Sequence, residues 1–331
     1  MNRLSFLIHS GIAGLLTAAL TLFASAAFSS EPSSEIRSIG GAPFISTKAE
    51  EIVLWRSASD VGNATAVAFM PLPESALKAV QEENSQELSN PLRTKALKVG
   101  VNRNADTEIN AAAPFALNWQ NIDDGYIARL AVTSPEARGM RVALRLRALP
   151  DNAELRFSGS EAPERIIGVV SGEEANALRD DDYIYWTPLT EGETQNIEIY
   201  LPSTEKTEDV KIRLNGVSHL FTSAQDGFNT ALVLKASEAC QINVACRSGS
   251  LGTSFQNTST AVARMTFSDN RGSYLCTGTL LNNSGESKPA YFWGAAHCFT
   301  SQTVANTLNT HWFYEAANCN GSSPGSSYRQ L

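Results

Sequence analysis

Every cysteine in this chain lies in its last 92 residues: Cys240, Cys246, Cys276, Cys298 and Cys319. The first 239 residues have none, so that part must fold on its apolar core alone, without covalent staples. The count is also odd, which in an exported protein demands an explanation. Five cysteines with one left over allow 15 pairings, so number alone settles nothing.

The N-terminus indicates export. Arg3 is followed by an apolar run, 12–24, and by Ala24-Ser25-Ala26, a small-x-small cleavage site. The run is 13 residues long, short of the roughly 20 that a spanning helix needs. The expectation is a signal peptide over 1–26, cut after Ala26, no membrane segment after cleavage, and a protein secreted to the extracellular space or the periplasm. Export makes disulfides permissible. A net charge of −8 leaves no basic surplus for phosphate neutralisation and argues against nucleic acid as a partner.

Composition shifts near Lys235. Residues 236–331 carry five Lys/Arg against four Asp/Glu and are rich in Ser, Thr, Asn and Gly, whereas the part before is acidic. The two parts read as separate folding units. In the first, Leu77, Val80 and Leu88 predict a helix near 74–88. Short strands with period-two alternation follow: Met140, Val142, Leu144 and Leu146 against Arg141, Arg145 and Arg147; Ile197, Ile199 and Leu201 against Glu198 and Tyr200; Val210, Ile212 and Leu214 against Lys211 and Arg213. Many short strands with Pro, Gly, Asn and Asp between them read as a mainly β fold, an antiparallel β-sandwich over about 97–222. The three arginines read as a solvated strand face rather than an anion site. Asp180-Asp181-Asp182 reads as an acidic turn, since no EF-hand spacing follows it.

The chemistry is concentrated around Cys276. Leu275-Cys276-Thr277-Gly278-Thr279-Leu280-Leu281 and Tyr291-Phe292-Trp293-Gly294-Ala295-Ala296-His297-Cys298 are apolar enough for neighbouring strands, with a turn at 282–285. A Cys276–Cys298 bridge would pin the end of the histidine's strand and hold His297 on a rigid frame, as a general base requires. Closing that loop is worth on the order of 3 kcal/mol.

These residues resemble the trypsin-like serine proteases, where a Cys-x-Gly-Ser/Thr-Leu strand precedes Ala-Ala-His-Cys; Gly294 stands where the usual motif has Thr. Cys240-Gln-Ile-Asn-Val-Ala-Cys246, Cys276-Thr-Gly-Thr-Leu-Leu-Asn-Asn and the aromatic strand His311-Trp312-Phe313-Tyr314 leading to Cys319 resemble the bacterial lysyl endopeptidases. The resemblance implies a serine endopeptidase precursor acting on polypeptides, with no cofactor. Residues 27–235 would be a pro-region that partners its own protease domain, and 236–331 the first β-barrel half of a trypsin-like fold. It implies His297 as the general base of a Ser-His-Asp triad. It also implies a Cys246–Cys319 bridge, a partner for Cys240 later in the protease domain, and processing at Lys235, five positions before Cys240. His311 reads as packed, His219 belongs to the first unit and His9 to the signal peptide. A zinc site from His297, Cys298, His311 and Cys319 matches no common Cys/His spacing.

After Cys298 the sequence contains no Asp, Glu315 is its sole acid, and Ser322, Ser323, Ser326 and Ser327 lie in a Gly/Pro loop without a nucleophile motif. The expectation is a chain truncated at its C-terminus, inactive alone, with the triad Asp and Ser beyond Leu331 and Cys240 left unpaired. Two alternatives stay open: a half-protease without activity, and an extracellular β-sandwich binding protein with a structural, disulfide-rich tail.

Overall fold

The computed structural model describes residues 53–56, 64–89, 96–109, 116–226, 242–282, 291–321, 324–325 and 328–331. Ala26, Lys235, Cys240 and the four serines of the Gly/Pro loop lie outside the described residues.

The first part contributes β1 (Thr65–Ala68), helix α1 (Glu74–Ser89), β2 (Leu97–Asn104), β3 (Gln120–Ile122), β4 (Gly125–Thr133), β5 (Gly139–Ala148), β6 (Glu154–Gly159), β7 (Ala162–Ser171), β8 (Ile184–Trp186), β9 (Thr190–Glu191), β10 (Thr194–Pro202) and β11 (Lys211–Leu220). The second contributes helix α2 (Ser248–Ser259), β12 (Val262–Asp269), β13 (Gly272–Leu281), β14 (Tyr291–Gly294), β15 (Asn309–Trp312) and β16 (Arg329–Gln330). Among the described residues these form two sheets. A six-stranded sheet runs β1-β4-β10-β6-β7 with β3 beside β4, and a ten-stranded sheet runs β16-β15-β12-β13-β2-β11-β5-β8 with β14 beside β13 and β9 beside β5. All pairs are antiparallel except β1 with β4.

Alternation places the core. Leu130, Leu155, Phe157, Ile197 and Ile199 of the six-stranded sheet pack with Met140, Val142, Leu144, Leu146 and Ile212 of the other, all buried. The chain is therefore mainly β, with a sandwich in its first part. In β11 the pattern changes phase: a bulge between Leu214 and Gly216 adds a residue, and Val217 is the next side chain of β11 in the apolar core.

The composition shift does not break the sheet. Strand β2 of the first part pairs with β13 of the second, Ser273 opposite Gly100 and Leu275 opposite Leu97. Ser218 on β11 reaches across β2 to Ser273 on β13 at 2.7 Å, and a Cβ at Gly100 between them in sheet order would press on the His219 carbonyl and Leu220. Ser273 in turn bonds Ser268 at 2.7 Å. Gly272 sits at φ +151, and a Cβ there would collide with the Gly100 carbonyl.

The covering of β5 by the second part corrects the reading of the arginine face. Arg147 is exposed and Arg145 half-buried, but Arg141 is fully enclosed. Its guanidinium donates to the Thr187 carbonyl at 2.9 Å and to Ser268 Oγ at 3.2 Å. Burial lowers its pKa to about 10. The Asp180–Asp182 segment is a turn, closed by the Asp180 carboxylate accepting from the amides of Asp182 and Ile184.

Candidate active site

Strands β13 and β14 build the site. Gly278 lies opposite Gly294, Thr279 opposite Trp293 and Leu280 opposite Phe292. Gly278 is the residue that lets the strands close: a Cβ there would strike the Phe292 ring and Met265 Sδ. Phe292 thus packs with Met265, Phe267, Tyr274, Phe299, Cys276 and Cys298 in a small cluster under the hairpin.

Beyond Gly294 the chain turns. The Cys298 amide donates to the Ala295 carbonyl at 2.9 Å, and Cys298 is bonded to Cys276 on β13, their Cα atoms 6.2 Å apart. His297 sits in that turn between the strand end and the bridge, with its ring exposed. Ala295 and Ala296 beside it are also exposed, so the imidazole is open to an approaching group. A second bridge joins Cys246 to Cys319, with Cα atoms 4.4 Å apart, tying the start of the second part to the segment after β15.

The structure brings Cys276, His297 and Cys298 together, their ligand-type atoms within 4.8 Å of one another. Both sulfurs are spent in a disulfide and offer no thiolate, and Cys319 is likewise bridged. The His297–Cys298–His311–Cys319 zinc arrangement therefore has no thiolate to bind metal.

His311 is wholly buried on β15, ringed by Tyr314 and Tyr328. Neither ring nitrogen has a partner among the described residues. Burial, with Arg264 and Arg165 nearby, holds it well below the usual histidine range. It is a packed neutral ring. His219 is buried on β11, with Nδ1 2.8 Å from Ser134 Oγ; burial, with Arg103 nearby, lowers its pKa to about 4. Of the described histidines, His297 alone is exposed.

Sequence patterning missed the buried polar groups that cross strands: Arg141 with Thr187 and Ser268, and the Arg129–Glu198 pair at 2.8 Å on the outer face of the six-stranded sheet. Alternation marks such residues only as outward-facing; what covers them is set by other segments.

Comparison with known proteins places both parts in one family. A family model described as the lysyl endopeptidase N-terminal domain matches residues 68–221, and one described as the lysyl endopeptidase C-terminal domain matches residues 234–331. A Pseudomonas aeruginosa protein named lysyl endopeptidase is 35% identical over 238 residues, covering 68% of this chain and 48% of that protein. The chain thus spans about half the length of the curated relative it matches. No solved structure matches it. The two family models, which fall on either side of the compositional shift, and the identity across them establish that the chain belongs to the lysyl endopeptidase-like proteins.

Proposed function

We propose that the chain is the precursor form of a secreted serine endopeptidase that cleaves polypeptides after lysine, with His297 as the general base. The observation that carries the reading is the exposed placement of His297 in the turn between the end of β14 and the Cys276–Cys298 bridge. A base that must take a serine proton and return it to a leaving amine needs its ring presented at hydrogen-bond distance without reorganisation. In this reading the Asp and Ser of the triad do not come from residues 299–331, which hold no Asp and no nucleophile motif.

In this reading residues 1–26 direct export and 27–235 form the pro-region, which is cut from the protease part after Lys235. The shared sheet supports a pro-region that partners its own protease domain: β2 supplies the neighbour that β13 pairs with. No helix among the described residues is long and apolar enough to cross a membrane.

The test is His297→Ala in the full-length secreted protein, assayed on peptide amides with Lys, Arg or Leu before the scissile bond. The expected result is cleavage after Lys by the parent and a loss of about 10⁴-fold or more in kcat for the variant. A variant retaining activity within tenfold of the parent overturns the role of His297. N-terminal sequencing of the mature product should begin at Ala236; another start removes Lys235 as the processing site.

A further inference from the structure

We propose that the outer face of the six-stranded sheet carries a binding site for a carboxylate borne on an apolar stem. The site lies in the first part of the chain and is independent of His297.

Strand register lays three cross-strand rows on this face. Asn196 stands opposite Ser158 and Ala131, Glu198 opposite Arg156 and Arg129, and Tyr200 opposite Glu154 and Ile127. The first row is short and the second long and charged, so the surface steps down between them. Over the step lies a cavity of about 250 Å³, with Ser158 and Asn196 on its floor and Arg129 with Glu198 at its charged end. Trp55 and Pro163 form apolar walls. Trp55 also stands against the Arg129 guanidinium, 6.0 Å from ring centroid to carbon. The space holds roughly eight water-sized groups, at the small end for ligand pockets.

The polar groups around the cavity define the ligand's chemistry. The Glu198 oxygens already accept, Oε1 from the Arg56 amide at 2.7 Å and Oε2 from Arg129 at 2.8 and 3.0 Å. In the cavity lining the buried side-chain atom without a hydrogen-bond partner among the described residues is Ser158 Oγ, 1% exposed; in the adjacent rows, outside the lining, Arg156 Nε and Nη1 also have none, while Glu154 Oε2 lies against the Arg156 and Arg56 guanidiniums. Arg156 Nη2 is paired with Glu154 at 2.8 Å. A buried donor left unmade is costly, and an acceptor brought by a ligand relieves it. A cation gains no free carboxylate here, since the Glu198 oxygens are already paired. A carboxylate uses the hydroxyl and the arginine charge together, and its apolar stem fits against Trp55 and Pro163. Such a group arises on a free small acid or at the C-terminus of a peptide.

The experiment titrates the whole chain by calorimetry with 3-phenylpropionate, with 3-phenylpropan-1-ol, and with Ala-Ala-Phe bearing a free or amidated C-terminus. The expected result is saturable binding of the free carboxylates, with the alcohol and the amide at least about tenfold weaker. Tighter binding of the peptide acid identifies a peptide C-terminus as the source; tighter binding of 3-phenylpropionate identifies a free small acid. Ser158→Ala should weaken the acid about tenfold without lowering the melting temperature of the unliganded protein, because it deletes a hydroxyl that has no partner. Equal binding of acid and alcohol, no binding of either acid, or an unchanged affinity in Ser158→Ala overturns the proposal.

Discussion

The two parts of this chain bury their hydrophobic residues on different scales. Residues 64–226 close two sheets over a broad core running from Phe69 to Val217, with no cysteine in reach. The core of residues 242–331 centres on three buried side chains, Met265, Phe267 and Tyr274, and is stapled by two disulfides. Tyr291 and Trp293 on β14, and Leu280 and Leu281 on β13, remain exposed. A small apolar core cannot offset the conformational entropy of ninety-odd residues, so cross-links and a borrowed sheet edge supply the rest. The seam between the parts is mixed: Leu275 of the second packs with Leu97, Val99, Leu189 and Leu220 of the first, and polar groups flank that patch. Ser218, Ser273, Ser268 and Thr307 hydrogen-bond along it, and Leu189, Asn309 and Gln330 close its far end. Such a seam holds the parts in register by packing and hydrogen bonding together.

Reduction should break this contrast most strongly. The Cys246–Cys319 bridge closes a separation of 73 residues, and in the chain-entropy description its loss costs about 4 kcal/mol. The effect should fall on the second part alone. Hydrogen exchange under reducing conditions is expected to show β12, β13 and β15 losing protection while β4 and β10 keep theirs. Loss of protection in all five strands together would show that the shared sheet makes the two parts one cooperative unit.

Acid tests the same contrast through one buried histidine in each part. The His219 pKa in the folded state, about 4, lies below the unfolded value near 6.5. The folded state therefore binds fewer protons between these limits, and stability is complete above pH 6.5 and lost as pH falls toward 4, by about 3 kcal/mol. His311, also depressed, loses stability in the same direction. The two differ in their partners: His219 is bonded to Ser134, whereas the nitrogens of His311 have none among the described residues. In urea unfolding at pH 7, His311→Phe should be neutral or stabilising by up to about 1 kcal/mol, and His219→Gln destabilising by about as much. Between pH 6.5 and 4.5 each variant should lose less stability than the parent. A His219→Gln profile that parallels the parent would remove His219 as a source of acid sensitivity.

Much of the β architecture was legible because alternation reports directly which side of a strand is buried: Ile197, Ile199 and Leu201 were assigned to the core, and all are in it. The hairpin of β13 and β14 was legible for another reason, since Gly278, Cys276 and Cys298 are residue types whose roles depend on close approach and bonding. Long-range covering was not legible. Arg141 alternates as Arg145 and Arg147 do, yet it is enclosed because Thr187 and, from the second part, Ser268 lie over it. Glu198 reads as outward-facing and is fully buried, because Arg56 and Trp55 cross that face from more than sixty residues away. Nor does composition reveal that β2 pairs with β13, since a compositional boundary carries no information on strand pairing.

The smallest expected effect lies at Gly294, where the similar motif has Thr. A Cβ at this position would meet only Met265, at 3.4 Å to Cε and 3.6 Å to Sδ, which is ordinary contact against a flexible side chain. Its backbone is not among the positive-φ glycines, so a side chain brings no strain. Glycine in a strand forfeits backbone entropy, and Gly294→Ala should therefore stabilise by about 0.5–1 kcal/mol in thermal unfolding. Gly278, directly opposite in the register, is the control: the same substitution there drives a methyl into the Phe292 ring and should destabilise. The pair separates two kinds of glycine within one hairpin, one required by packing and one that packing tolerates losing. If both variants destabilise, the end of β14 is held as tightly as its middle, and the frame behind His297 is set by close backbone packing as well as by the Cys276–Cys298 bridge.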